Sequence, residues 1–140
     1  MPQFKKLTPN LIVASVERSL AFYVDVLGFT RGMTVPDGPP FVFASVVSGP
    51  VEIFFNDTAE ALKEHPDWAG RVKASAGGSM FIEIDGAAAE VDALHDRIKS
   101  KGRIVIPLTT QWYGMREFAI EDPDGYAITF AQRVGEPQKP

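Results

Sequence analysis

Residues 115–132 read MREFAIEDPDGYAITFAQ, two runs rich in apolar side chains on either side of Asp122-Pro-Asp-Gly125. Proline is favoured at the second position of a type I turn, and glycine is favoured where the backbone becomes left-handed. The stretch therefore predicts a β-hairpin with strands at Met115–Glu121 and Tyr126–Gln132.

A strand, a helix and a second strand are predicted ahead of this hairpin. The two strands are Ser79–Asp85 and Arg103–Pro107. The helix between them is indicated by apolar side chains at helical spacing: Ala87, Val91, Leu94 and Ile98. Gly102 is the expected end of that helix. The second half of the chain thus has the order βαβββ.

The first half of the chain repeats this order. Four strands are predicted: Thr8–Ser15, Phe29–Thr34, Phe41–Ser48 and Val51–Phe55. A helix lies between the first two, with Ser15 as its N-cap and Gly28 as its end. Its apolar stripe consists of Val16, Leu20, Val24 and Leu27. Ordinary alternation of helices and strands is the alternative, but the matched order and spacing predict an α+β fold of two βαβββ modules.

The module boundaries follow from the predicted elements. We expect one domain at 1–134, with module one at about 5–56, a connector at 57–78, module two at 79–134 and a frayed tail at 135–140. In the connector, Asp57 and Glu60 predict a capped short helix that ends at His65-Pro66. Trp68 is expected to cover the core.

Composition excludes several functions. The formal net charge is −4, without the basic surface that a nucleic-acid-binding protein needs. The absence of cysteine excludes disulfides, thiolate zinc sites, iron–sulfur clusters and a cysteine nucleophile, and two histidines cannot form a three-histidine metal site. There is no membrane-spanning run and no signal-peptide pattern, so we expect a cytoplasmic protein.

Two stretches carry a family resemblance. NLIVASVERSLAFYVDVLGF at 10–29 resembles the first module of the vicinal-oxygen-chelate superfamily, and WYGMREFAIEDPDGYAITF at 112–130 resembles the closing hairpin of its second module. That superfamily contains glyoxalase I, extradiol dioxygenases and bleomycin-resistance proteins, and the motifs are most similar to the last group. The resemblance spans about residues 7–132. It implies curled mixed sheets around a cleft, and a homodimer in which two chains share each cleft.

The resemblance also implies four metal-ligand positions. Carried over onto this chain, they fall on Thr8, Glu52, Ser79 and Thr129. Only Glu52 is a competent ligand, because hydroxyl groups hold a divalent ion weakly. We therefore predict that the protein uses no metal and no other cofactor.

The cleft is predicted to be aromatic and polar. The resemblance implies that Glu52 and Ser79 face the cleft; strand alternation then adds Phe54 and Phe81 to the cleft, whereas Ile53 and Phe55 face the helices. The resemblance places Trp112 and Tyr113 at the cleft mouth, where they stack on a ligand or fill the dimer seam. The same two alternatives hold for Phe41 and Phe43. The full set of predicted ligand-binding residues is Phe41, Phe43, Glu52, Phe54, Phe81, Trp112, Tyr113 and Arg116.

Two charged residues of this set have more than one interpretation. Arg116 either binds an anionic group or pairs with Glu52 or Glu83. Glu52 faces the ligand, forms half of that ion pair, or acts as a catalytic base. An unpaired carboxylate in the cleft favours a cationic ligand, because a buried lone charge is costly.

Three functions remain open from the sequence. The first is a metal-free dimer that sequesters an aromatic or cationic small molecule, without nucleic-acid or membrane partners. The second is a lyase, isomerase or dioxygenase of the same superfamily that depends on a metal or on Glu52, with Tyr113 or Arg116 stabilising negative charge. The third is an accessory domain that binds another protein through its sheet edges.

Overall fold

The computed structural model describes residues 1–72 and 78–138. The chain divides into two compact units, Met1–Lys73 and Ala74–Pro140. Each unit contains one βαβββ module, and the division falls inside the predicted connector. Among the described residues, no helix has both the length and the apolar character needed to cross a membrane.

The first unit contains one four-stranded sheet. Its strands are β1 (Asn10–Val13), β2 (Thr30–Val35), β3 (Phe43–Ser48) and β4 (Val51–Asp57). Its helical segments are α1 (Val16–Leu20), a π-helix at Ala21–Val26, α2 (Thr58–Glu64), a 3-10 turn at Pro66–Trp68 and α3 (Ala69–Val72). The strand order is β1-β4-β3-β2, with β1 parallel to β4 and the other pairs antiparallel.

One face of this sheet forms the core of the first unit. Val13, Ile53 and Phe55 are fully buried, and Tyr23 packs on Phe55 with ring centroids 4.8 Å apart. Burial of a side chain of this size contributes roughly 1.5–3 kcal/mol. The alternating residues Glu52 and Phe54 are only half-buried, so the predicted division of β4 between two faces is confirmed.

The first helix differs from the prediction in its winding. Ser15 caps α1 by accepting a hydrogen bond from the Arg18 N–H, as expected, but the helix then widens. The N–H of Leu27 bonds to the carbonyl of Phe22, a five-residue step that defines a π-helix. Tyr23 is consequently fully buried, whereas Val24, a member of the predicted stripe, is only half-buried.

The second unit repeats the arrangement. Its strands are β5 (Ser79–Glu83), β6 (Ile104–Thr110), β7 (Met115–Glu121) and β8 (Ala127–Arg133), and its helix is α4 (Glu90–Ile98). The strand order is β5-β8-β7-β6, again with one parallel pair, β5 with β8. Two four-stranded mixed sheets with few helices confirm the predicted α+β fold.

The hairpin that decides the fold has the predicted turn chemistry. The N–H of Gly125 donates to the carbonyl of Asp122 at 3.0 Å, and Gly125 has φ of +88°. The Asp122 carboxylate also accepts the N–H groups of Asp124 and Tyr126, each at 2.9 Å. Side-chain and backbone acceptors on one residue therefore close the turn.

Several element boundaries differ from the predictions. β1 begins at Asn10, so Thr8 lies ahead of the strand. α4 begins at Glu90, and Ala87 lies outside it, where its carbonyl accepts the Gln132 side-chain amide at 2.6 Å. β6 continues past Pro107 to Thr110. Proline lacks a backbone N–H, and an edge strand such as β6 tolerates it because one side of the strand forms no hydrogen bonds within the sheet.

Candidate functional site

The half-buried face of the first sheet carries aromatic and polar side chains. Glu52, Phe54 and Asn56 alternate along β4, and Phe43 lies beside Asn56 on β3. The rings of Phe43 and Phe54 meet edge to face, with centroids 5.2 Å apart. The Asn56 side-chain amide donates a short hydrogen bond to the side-chain oxygen of Asn10 on β1. This face therefore offers both ring surfaces and amide groups to a ligand.

An open cavity of about 290 Å³ lies at the end of this face, where β4 continues into α2. We call it the connector cavity. Asp57 starts α2 as its N-cap, accepting the Glu60 N–H at 3.2 Å, which confirms the predicted cap. The cavity is lined by Asn10, Ile12, Val35, Val42, Phe43, Asn56, Glu60, Ala61, Glu64, His65 and Trp68.

The walls contributed by the connector are acidic and aromatic. Glu60 and Glu64 are four residues apart on α2, which places them on one side of the helix. His65 and Trp68 stack with centroids 4.2 Å apart and ring planes 17° from parallel. Trp68 was expected to cover the core, but it is half-buried and forms part of the cavity wall.

Glu52 is held in an ion pair. Its carboxylate lies 2.5 Å from the Lys6 ammonium, and the two side chains are 25% and 48% exposed. The partner is thus Lys6 of the N-terminal segment rather than Arg116. The hydrogen bond from Lys6 occupies one oxygen of this carboxylate, which counts against Glu52 as a free general base.

Phe41 lies away from the cavity. Its ring is buried at 7% exposure, the Arg31 guanidinium is centred 4.7 Å from the ring, and its N–H donates to the Glu17 carboxylate. That hydrogen bond holds the pKa of Glu17 below its ordinary value. Phe41 therefore anchors the loop before β3, while Phe43 reaches the cavity.

In the second unit, Trp112 and Tyr113 lie at the turn between β6 and β7. Trp112 is 53% exposed and meets Tyr113 edge to face at 5.4 Å. The Tyr113 hydroxyl donates a short hydrogen bond to the Glu117 carboxylate, which raises the pKa of Tyr113 to about 12. Trp112 is therefore the ring of this pair that is free to stack on a ligand.

Glu117 is a buried carboxylate that the sequence prediction missed. It is 5% exposed, and its second oxygen, Oε2, has no hydrogen-bond partner in the part of the chain that the structure describes. Alternation on β7 places Glu117 on the sheet face opposite α4, because Phe118 contacts His95 of that helix. The signal in the sequence was a charged residue inside an apolar strand.

A second open cavity, of about 310 Å³, adjoins Trp112. We call it the tail cavity, because residues after β8 form one wall. The N–H groups of Val134 and Gln138 donate to the carbonyls of Gly114 and Trp112, at 2.9 and 2.6 Å. Residues 135–138 belong to the segment that was expected to fray. The lining residues are Thr110, Gln111, Trp112, Gly114, Val134, Gly135, Glu136 and Gln138.

Phe81 and Arg116 occupy different faces of the second sheet. Phe81 is 56% exposed on β5 and pairs with Thr129 of β8. Arg116 lies on the face toward α4, where its Nε donates to the Asp92 carboxylate at 2.7 Å. The predicted pairing of Arg116 with Glu52 or Glu83 is therefore wrong, because a carboxylate on the covering helix is in reach.

The residues at the four family metal positions do not fit a divalent ion. Thr8, Ser79 and Thr129 supply neutral hydroxyls, and the single carboxylate, Glu52, is paired with Lys6. Within the described ranges 1–72 and 78–138, no three carboxylate or imidazole side chains are grouped as metal ligands would be. Hydroxyls without an anionic partner bind such ions weakly.

Comparison with known proteins gives concordant matches. A family model described as Glyoxalase/Bleomycin resistance protein/Dioxygenase superfamily matches residues 6–130. A bleomycin resistance protein of Geobacillus stearothermophilus is 33% identical over 135 residues, 90% of this chain and 95% of that protein.

Solved structures match over most of the chain as well. The bleomycin-binding protein of bleomycin-producing Streptomyces verticillus, complexed with copper(II)-bleomycin, is 26% identical with a TM-score of 0.56, covering 97% of this chain and 100% of that one. TioX from Micromonospora sp. ML1 shares the fold, with a TM-score of 0.71 at 19% identity over 94% of this chain and 100% of its own.

Proposed function

Because the chain belongs to the glyoxalase/bleomycin resistance protein/dioxygenase superfamily, we propose that it binds an aromatic or cationic small molecule and sequesters it without a metal ion. Sequestration requires burial and stacking of the ligand but no reacting group. The observation that carries the proposal is the face formed by Phe43, Phe54 and the connector cavity, where aromatic rings adjoin carboxylate and amide groups.

The relatives indicate which ligand to test first. The 33% identical protein is named for bleomycin resistance, and the Streptomyces protein is complexed with copper(II)-bleomycin. We propose that bleomycin, or a molecule that shares its aromatic and cationic groups, is the ligand of this chain. A homodimer in the cytoplasm, and ligand contacts by Trp112 and Phe81 of the second unit, are part of the same proposal.

Binding is favoured over turnover by the charges at the site. A Glu52-dependent reaction needs a free carboxylate, whereas Glu52 lies 2.5 Å from the Lys6 ammonium. A metal-dependent reaction needs several anionic or imidazole ligands, and the four family positions supply one, Glu52, which is paired with Lys6. The function therefore rests on the rings and polar groups that surround the ligand.

Isothermal titration of metal-free and copper-loaded bleomycin tests the proposal. We expect saturable binding, and mass spectrometry of the recovered ligand should show it unchanged. Phe54→Leu, which removes the ring but keeps an apolar side chain, should weaken binding about 3- to 10-fold. Phe4→Leu is the matched control, because Phe4 is 88% exposed in the N-terminal segment.

Two results would overturn the proposal. The absence of saturable heat with either form of bleomycin and with a panel of aromatic cations would remove the binding function. A ligand recovered with altered mass would show turnover, and the enzymatic alternative would replace sequestration.

A further inference from the structure

The connector cavity differs from the rest of the binding face in its charge. Two glutamates line it, and no lysine or arginine does so among the residues that the structure describes. Glu60 accepts a hydrogen bond from Lys63 at 3.0 Å on the exposed side of α2. Glu64 is exposed and makes no ion pair with any other described side chain. The cavity therefore carries net negative charge at neutral pH.

An aromatic wall stands beside these carboxylates. His65 and Trp68 stack nearly parallel, and Phe43 contributes a further ring on the strand side. A cation is attracted to the face of an aromatic ring as well as to a carboxylate. A planar cation can satisfy both at once, because it stacks on the ring while its edge presents N–H groups.

Asn56 completes the set of polar groups. Its side-chain nitrogen donates to Asn10, so its side-chain oxygen remains available as an acceptor at the floor of the cavity. The two carboxylates and this amide oxygen are acceptors, and the amide N–H groups of Asn10 and Asn56 add a smaller number of donors. Such a site selects a ligand group with several N–H donors and a positive charge.

We propose that the connector cavity binds a planar organic cation of the amidinium or guanidinium class, and that Glu64 is its charge partner. The inference rests on the proposed function, since it assigns the positively charged end of the ligand to this cavity. Trp68 stacks on the cation, and the Asn56 oxygen accepts one of its N–H groups.

The two tryptophans of the chain make a direct test possible. In Trp112→Phe, Trp68 is the remaining tryptophan, and its fluorescence reports on the connector cavity. Benzamidine, a planar cation, is titrated beside benzamide, which is nearly the same shape but neutral. We expect saturable quenching by benzamidine and at least 5-fold weaker binding of benzamide.

Glu64→Gln separates charge from shape in the same assay. The variant should weaken benzamidine binding about 5- to 10-fold and leave the response to benzamide unchanged. Glu90→Gln, at the exposed start of α4, is the matched control and should behave as the parent. Equal binding of the two probes, or an unchanged response in Glu64→Gln, would overturn the proposal.

Bleomycin titration of the chain with Trp112 intact, with and without Glu64→Gln, distinguishes the two proposals. If bleomycin binds the parent and Glu64→Gln equally and benzamidine fails, the cation site is wrong and the proposed function stands. If benzamidine binding depends on Glu64 while bleomycin does not bind, the cation site stands and bleomycin is not the ligand.

Discussion

Replacing Tyr113 by phenylalanine should destabilise the protein more than the loss of one exposed hydroxyl would suggest. The hydroxyl donates to Glu117, which is 5% exposed and whose other oxygen has no partner among the described residues. Hydrogen bonds to charged groups contribute roughly 1.5–3 kcal/mol. Because Tyr113 is half-buried, water replaces part of the lost bond, and we expect a loss of about 2 kcal/mol at pH 7.

Urea denaturation followed by circular dichroism measures this loss. With a denaturant slope of roughly 2 kcal/mol per M for a chain of this size, the midpoint should fall by about 1 M. Protein concentration is kept fixed, because association shifts apparent stability. Adding Glu117→Leu to Tyr113→Phe should recover at least half of the loss, since the unpaired buried carboxylate is then gone. A free energy of unfolding for Tyr113→Phe within about 0.5 kcal/mol of the parent would refute the reasoning.

The raised pKa of Tyr113 gives the same interaction a pH signature. A folded-state pKa near 12, above the ordinary value, means that the contribution to stability is complete below about pH 10 and is lost as pH rises toward 12. In Glu117→Gln the Tyr113 pKa should return toward 10, and absorbance titration of tyrosinate measures the change. A Tyr113 that still titrates near 12 in that variant would point to another cause.

Three further predictions concern stability and are checked by the same denaturation assay. Glu17→Gln should lower the free energy of unfolding at pH 7. Because the folded-state pKa of Glu17 is depressed, the parent should lose the stability that this carboxylate contributes as the pH falls below the ordinary pKa of glutamate, and the variant should not. Parallel pH profiles of parent and variant would contradict this. Lys6→Met should change stability by less than about 1 kcal/mol, since its pair with Glu52 is partly exposed; a larger loss would show a structural role. Gly114→Ala should cost at least about 1–2 kcal/mol, because φ is +84° and the added Cβ overlaps the Gly135 carbonyl; an unchanged midpoint would refute it.

Local chemistry made parts of this fold predictable. The turn Asp122-Pro-Asp-Gly125 fixes its own geometry through contacts within four residues, and strand β7 has the predicted bounds Met115–Glu121. The Asp57 cap of α2 follows equally from neighbouring residues. Alternation along β4 was enough to separate the buried Ile53 from the half-buried Phe54.

Contacts between distant elements were not predictable in this way. Arg116 pairs with Asp92, which is 24 positions earlier on a helix that crosses the sheet. The connector cavity forms only where strand, helix and turn meet. Nothing in the sequence next to Glu64 or Trp68 therefore indicated that the two residues line one cavity. The π-helix likewise accompanies a contact between distant residues, the packing of Tyr23 against Phe55, which helix propensity does not report.

The two cavities occupy the same place in the two repeats. Each lies where the second strand of the module leads into the third, at Val35–Phe43 and at Thr110–Gly114. Each is walled by the segment that leaves the last strand, which is α2 with its 3-10 turn in one module and residues 134–138 in the other. Those segments lie outside the repeated sheets. If the modules arose by duplication, substitutions in either segment can therefore change which ligand its cavity accepts without altering the two repeated sheets.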